Sequence, residues 1–170
     1  PILRRWGVTA TVFVTTECVT TGQLPWSQRL GFILQHTTRP ELAFTPPTAY
    51  QTQHSYSLGT PTARRRTYLA LKDPFKTLPR AQREKVIQSL AREMVVDPPT
   101  DRMLSWDDLR ALMAAGWEVG AHTFSHPWLA CISSTEAEEE LTRCREDLRK
   151  HLGEAVAQRL GGGPGQLRDI

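Results

Sequence analysis

The sequence predicts an α/β fold with a parallel sheet that curls into part of a barrel. Apolar runs of strand length alternate with segments of helical periodicity along the 170 residues. Strands that are separated by helices pair in parallel, and right-handed crossovers bend such a sheet toward a barrel. A hydrophobic content of 39% is enough for a core, so we expect a single domain over residues 1–170.

The first half of the chain predicts one strand, one helix and an insertion. The run from Thr9 to Val14 favours a strand, and Trp26 to His36 has the apolar spacing of a helix. Residues 38–62 are rich in Pro, Thr and Tyr, which predicts a loop-rich insertion with short strands around Ala43 and Tyr56.

Two further helices are predicted after the insertion. Thr62 to Leu71 favours one, and Pro79 to Val96 favours the other. Asp97-Pro98-Pro99 ends the second helix, because proline cannot continue it. The stripe that this helix is expected to bury consists of Val86, Ile87, Leu90 and Met94.

A helix and a strand lead into the most informative part of the chain. Ser105 and Asp108 form a capping-box pair at the start of a helix from Trp106 to Ala115, and Gly116 ends it. Residues 117–121 are mostly apolar and bounded by glycine, which predicts a buried strand.

The last predicted helix begins at a second capping box, Ser133 with Glu136, and continues to Leu152. Its core-facing stripe makes Cys144 a packing residue. The stripe consists of Ala137, Leu141, Cys144, Leu148 and Leu152. The same helix carries an acidic run that consists of Glu136, Glu138, Glu139 and Glu140. We interpret this run as a solvated helix face rather than a metal site.

Two histidines follow the strand at a spacing of four residues. His122 stands at the C-terminal end of the strand, where barrel enzymes have their sites, and Pro127 keeps His126 out of the right-handed helical region. Two imidazoles with a carboxylate and an open water position make a hydrolytic zinc centre. The spacing alone leaves open that both histidines are structural.

Several ordered segments resemble one family. Residues 8–14, Val-Thr-Ala-Thr-Val-Phe-Val, are similar to an Ala-Thr-Phe-Phe-Val strand, and residues 122–127, His-Thr-Phe-Ser-His-Pro, match a His-Ser/Thr-x-x-His-Pro metal motif. Residues 104–109 and 116–120 resemble the helix and strand before that motif. The chain therefore resembles the polysaccharide deacetylases, carbohydrate esterase family 4, over most of its length.

The resemblance implies a site and a fold. His122 and His126 carry over as ligands of a divalent metal, usually zinc, and Thr123 as the residue whose hydroxyl steadies the loop. The implied fold is a distorted (β/α) barrel with seven strands, of which residues 1–170 would form a partial domain. The implied reaction is metal-dependent hydrolysis of N-acetyl or O-acetyl groups on a polysaccharide.

Other family residues do not carry over. The aspartate ligand and the aspartate base belong to a Thr-Phe-Asp-Asp motif that we expect before Pro1, so the chain would be an internal fragment that is inactive alone. Asp107 and Asp108 do not replace them, because carboxylates in a first helical turn cap free amides and favour the helix dipole. No catalytic residue is therefore assigned.

The C-terminal part also departs from the family. Residues 154–170 predict an irregular tail in which the aromatic and proline positions of a product-binding motif fall on Arg159 and Leu160. We expect either that the motif has decayed or that a reading-frame error has altered the end of the chain. The remaining histidines have no matching context, so we expect no role for them in the site: His36, His54 and His151.

Two alternative functions remain. The first is a non-catalytic relative that binds glycans or serves as a scaffold. The second, a nucleic-acid binder, is disfavoured because the net charge is only +3 and the one tight basic cluster, Arg64-Arg65-Arg66, is typical of a solvated helix face. We therefore expect an acetylated polysaccharide as the partner and no nucleic acid.

Neither a membrane span nor a signal sequence is evident in these residues. The family resemblance nevertheless suggests an extracytoplasmic or cell-envelope location. The three cysteines form no Cys-x-x-Cys pair, so neither a disulfide framework nor a cysteine zinc site is expected.

Overall fold

The protein has a mixed α/β fold, as the sequence predicts. The computed structural model describes residues 2–45 and 53–154. In chain order the elements are α1 (Ile2–Arg5), β1 (Thr11–Val14), α2 (Thr16–Thr21), α3 (Trp26–His36), β2 (Glu41–Phe44), β3 (His54–Ser57), α4 (Pro61–Lys76), α5 (Arg80–Met94), α6 (Trp106–Ala114), β4 (Glu118–Ala121), a 3₁₀ turn (Leu129–Cys131) and α7 (Ser134–Leu152).

The chain divides into two compact units. The strand unit comprises Pro1–Gln23 and Thr100–Ile170, and the helical unit comprises Leu24–Pro99. The strands within the described residues form two separate two-stranded sheets, β1–β4 and β2–β3, which do not close into a barrel. A single domain over residues 1–170 stays a prediction, and the irregular tail lies, except for Glu154, outside the described residues.

The strand unit is built on a parallel pair. β1 and β4 pair from Thr11 opposite Glu118 to Val14 opposite Ala121, although about a hundred residues separate them along the chain. Alternate residues of both strands point to one core, which α6 and α7 cover. The buried residues of this core are Val14, Val19, Leu109, Val119, Ala121, Cys144 and Leu148.

Both predicted capping boxes are present in the strand unit. Ser105 Oγ accepts from the backbone N–H of Asp108 at 3.1 Å, and Ser133 Oγ accepts from that of Glu136 at 3.2 Å. Each carboxylate accepts in return from the backbone N–H of its serine. The hydroxyl and the backbone N–H of Ser105 lower the pKa of the Asp108 carboxyl, and the backbone N–H and the hydroxyl of Ser133 lower that of Glu136. The prediction that Asp108 caps a helix is therefore confirmed.

The helical unit packs three helices around a hairpin. Leu42 lies opposite Tyr56 and Ala43 opposite Ser55 in the antiparallel β2–β3 pair, which confirms the predicted strand pieces. Residues 46–52 of the predicted insertion lie outside the described residues. The buried core of the unit consists of Trp26, Leu30, Ile33, Leu34, Leu42, Leu58, Leu71, Phe75, Leu78, Ile87, Leu90 and Met94.

Two predictions for the helical unit need correction. α4 continues past Leu71 to Lys76, because Phe75 extends the buried stripe by one turn. Arg65 and Arg66 are exposed as expected, but Arg64 is half-buried. Its guanidinium donates to the carbonyls of three residues: Leu58, Gln35 and Thr37. The side chain therefore ties α4 to neighbouring segments instead of forming part of a solvated cluster.

None of the helices within the described residues is both long enough and apolar enough to cross a membrane.

Candidate metal centre

His122 is held at the end of the parallel strand pair. It directly follows β4, and its backbone N–H donates to the carbonyl of Val14 at 2.9 Å, which extends the pairing by one residue. Thr15 Oγ donates to the carbonyl of His122 at 3.0 Å. The backbone of His122 is thus fixed on both sides while the residue stays exposed. This position is at the C-terminal end of both strands.

The loop after His122 is held by the first turn of α2. The backbone N–H of Thr16 donates to the carbonyl of Thr123 at 3.4 Å, and that of Glu17 donates to the carbonyl of Phe124 at 2.9 Å. The first N–H groups of a helix have no partners within the helix. The loop supplies two of these partners, so helix start and loop stabilise each other.

Thr123 and His126 both have a left-handed backbone, with φ of +62° and +61°. This region is unfavourable for residues with a Cβ and costs on the order of 1–3 kcal/mol each. The sequence correctly excluded a right-handed helical His126, since Pro127 follows it. The two left-handed residues turn the loop back on itself. Thr123 Oγ accepts a hydrogen bond from the backbone N–H of His126 at 3.1 Å across this turn.

The turn brings the two imidazoles together. The ring centres of His122 and His126 are 4.9 Å apart, with the ring planes at 60°. Zinc–nitrogen bonds of about 2.0–2.1 Å place the centres of two rings that share one ion about 5 Å apart. The observed separation therefore fits two ligands of one metal ion.

Glu140 of α7 also holds the loop, and the sequence did not reveal this. Its carboxylate accepts from the backbone N–H of Ser125 at 2.7 Å and from Ser125 Oγ at 2.6 Å. The prediction that the acidic run is a solvated face is correct for its other members, which are exposed, but wrong for half-buried Glu140. The available signal was that Glu140 stands four residues before the buried Cys144, which places both residues on one face of the helix.

Two further residues of α7 lie beside the loop and the sheet. The Arg143 guanidinium carbon is 3.7 Å from the centre of the Phe124 ring. Cys144 is fully buried, with its thiol 4.0 Å from the carbonyl of Val14, so the prediction of a packing role is confirmed. Burial raises the pKa of this thiol to about 11, which keeps it protonated. Leu141 was predicted to belong to the buried stripe of α7, but this residue is 37% exposed.

Other candidate ligands are engaged elsewhere. Asp107 pairs with Arg110, and His151 stacks on Trp106 with ring centres 4.2 Å apart. His36 stacks on Phe32 within α3. Across residues 2–45 and 53–154, no group of three or more His, Cys, Asp or Glu residues is arranged to hold a metal ion. In this part of the chain the candidate centre consists of two imidazoles on a well-anchored loop.

The family model of the polysaccharide deacetylases matches residues 1–160. Comparisons with curated proteins and with solved structures gave no match.

Proposed function

We propose a metal-dependent deacetylase site for this chain, which belongs to the polysaccharide deacetylase family. In this site His122 and His126 bind a divalent metal ion, and the reaction removes acetyl groups from a polysaccharide. Membership of the family indicates a hydrolase that acts on acetylated polysaccharides. The observation that carries the metal assignment is the 4.9 Å separation of the two ring centres at the C-terminal end of β4. N-acetyl groups are the proposed target, with O-acetyl groups as the variant.

The residues of the chain would position the reaction. His122 and His126 would each offer one ring nitrogen, and Thr123 would keep the loop turned by its bond to the His126 backbone. When bound, an ion such as zinc supplies Lewis acidity for the acetyl carbonyl and lowers the pKa of water toward about 7. Because His122 is exposed at the end of the strands, a glycan can reach the pair from solvent.

The reaction also needs a carboxylate ligand and a general base, for which we propose aspartates outside the described residues. The support is that no group of three or more His, Cys, Asp or Glu residues within the described part of the chain is arranged to hold a metal ion. Hydrolysis without a base loses the contribution of proton transfer, which is typically about 10²- to 10⁴-fold. We therefore expect the 170-residue chain to release acetate slowly or not at all.

The larger fold in this proposal is a distorted seven-stranded (β/α) barrel to which β1 and β4 contribute neighbouring strands. The parallel pairing supports it, since antiparallel pairs cannot belong to such a barrel. Phe13 also supports the barrel, because it lies on the sheet face away from the core and is 51% exposed. In a barrel that face would point inward and be covered by other strands.

A second candidate is a non-catalytic relative that binds or scaffolds glycans. It is favoured by the lack of a third metal ligand within the described residues. The two candidates differ in the role of the metal, because in this second candidate the glycan binds without a metal ion.

The experiment is to measure binding of an N-acetylglucosamine hexamer to the chain, with added zinc and with a chelator, beside the matched glucosamine hexamer. The metal-site proposal predicts that zinc tightens binding of the acetylated sugar and that the chelator reverses this. Equal binding of the acetylated sugar under both conditions would support the binding module. Rapid acetate release by the chain, abolished by the chelator, would refute the need for an external base.

A further inference from the structure

Glu140 is the one acidic side chain of α7 that is bonded to the histidine loop among the described residues. Both of its carboxylate oxygens are used, one for the backbone N–H of Ser125 and one for its hydroxyl, at 2.7 and 2.6 Å. Ser125 directly precedes His126 and is 7% exposed. The carboxylate therefore fixes the position of the loop immediately before the second histidine.

The loop needs such a contact because its backbone is unfavourable. Thr123 and His126, on either side of Phe124 and Ser125, both have positive φ. Left-handed conformations at residues other than glycine persist only where surrounding contacts over-determine them. The N–H of buried Ser125 would also lose its partner without Glu140, which carries the cost of an unsatisfied polar group.

A second contact from α7 acts on the neighbouring loop residue. Arg143, one turn after Glu140 on the same helix face, places its guanidinium 3.7 Å from the Phe124 ring centre. Phe124 is held on its other side, since its carbonyl accepts from the N–H of Glu17. Phe124 is thus held between α7 and α2, and the next residue, Ser125, is held by α7.

We propose that Glu140 is a positioning residue for the metal centre, which sets the metal affinity of His122 and His126 through its two hydrogen bonds to Ser125. This inference rests on the proposed function, in which those histidines are ligands. The effect passes through the backbone of the loop, because Glu140 accepts from the backbone N–H of Ser125, the residue directly before His126. Groups hydrogen-bonded directly to metal ligands typically change metal affinity by about 10- to 100-fold when removed, and we expect Glu140, which acts through the residue next to a ligand, to fall near the lower end.

The test compares the zinc affinity of the purified chain with that of E140A and E140Q, by competition with a chromophoric chelator. E139A is the matched control, because Glu139 directly precedes Glu140 on the same helix and its carboxylate is exposed. S133A is a stability control, since it removes the hydroxyl hydrogen bonds of the α7 capping box without touching the loop. Thermal unfolding of the metal-free proteins is recorded for every variant.

The expected result is about a 10-fold or greater loss of zinc affinity in E140A. A smaller loss is expected in E140Q, whose amide oxygen still accepts a bond, and affinities within twofold of the parent are expected in E139A and S133A. If E140A and S133A lower the unfolding temperature alike and E140A keeps the parental affinity, the positioning role is overturned while the metal site stands. If the parent chain binds no zinc, the metal site itself fails.

Discussion

The hydroxyl of Thr123 lies 3.1 Å from the backbone nitrogen of His126 and accepts its hydrogen bond. Both residues have positive φ, so this bond closes the turn between them. β4 fixes the position of the His122 ring, and the loop fixes the position of the His126 ring. The distance between the two imidazoles therefore depends on the turn.

The first prediction concerns this bond. T123V has the same shape and β-branching as threonine but cannot accept the His126 N–H, whereas T123S can. We expect T123V to lower the free energy of unfolding by about 1 kcal/mol relative to T123S. Its zinc affinity should fall by about 10-fold relative to T123S. Equal unfolding and equal zinc affinity of the two variants would contradict the account of the turn.

The second prediction concerns the open face of the strand pair. A Cβ on Gly120 would lie 2.7 Å from two carbons of the Phe13 ring. We expect G120A to lower the free energy of unfolding by about 1 kcal/mol or more, as overpacking does. Denaturant unfolding of G120A, F13A and the double variant measures the coupling. If G120A costs as much without the Phe13 ring as with it, the contact is not the cause.

The third prediction concerns pH. Hydrogen bonds from Ser105 and Ser133 lower the folded-state pKa of Asp108 and Glu136 below their ordinary values of 3.8 and 4.5. The stability they contribute is therefore fully present above about pH 5 and is lost as the pH falls through the lowered folded values. Urea unfolding between about pH 5 and 3 should show a smaller loss for D108N/E136Q than for the parent. Identical pH slopes would mean that neither carboxyl is linked to folding.

The fourth prediction concerns the cysteines. Cys18 and Cys144 are buried and Cys131 is exposed. Because the thiolate is the reactive form, the raised pKa of Cys144, about 11, adds to its burial in protecting it. Brief alkylation of the folded chain at pH 8, followed by peptide mass spectrometry, should label Cys131 well before the other two. Comparable early labelling of Cys144 would show that α7 does not pack this residue against β1 and β4 as described.

Local signals predicted much of this structure. Both capping boxes and the end of α6 shortly before Gly116 follow from residues three to ten positions apart, so the sequence was sufficient. Helix α3 also has the predicted bounds, because its apolar residues recur at helical spacing. The position of His122 after a strand came from the same kind of pattern.

The contacts that the sequence did not predict join residues distant along the chain. The spacing of four residues from Cys144 sets Glu140 apart from Glu138 and Glu139, but its partner Ser125 is evident only once α7 is placed against the loop. The role of Arg64 likewise depends on carbonyls that the fold brings to α4, such as those of Gln35 and Thr37. Such partners are set by tertiary packing, which one sequence does not show.

The most direct measurement of the central claim is an NMR titration of the chain with Zn²⁺ that follows the ring resonances of all five histidines. H122A and H126A assign the two rings of interest. The account predicts that the resonances of His122 and His126 shift together at one equivalent, while those of His36, His54 and His151 stay in place. It also predicts that either alanine variant abolishes the shift of the remaining partner. Independent shifts of the two rings, or shifts no larger than those of the other three histidines, would contradict a shared metal ion.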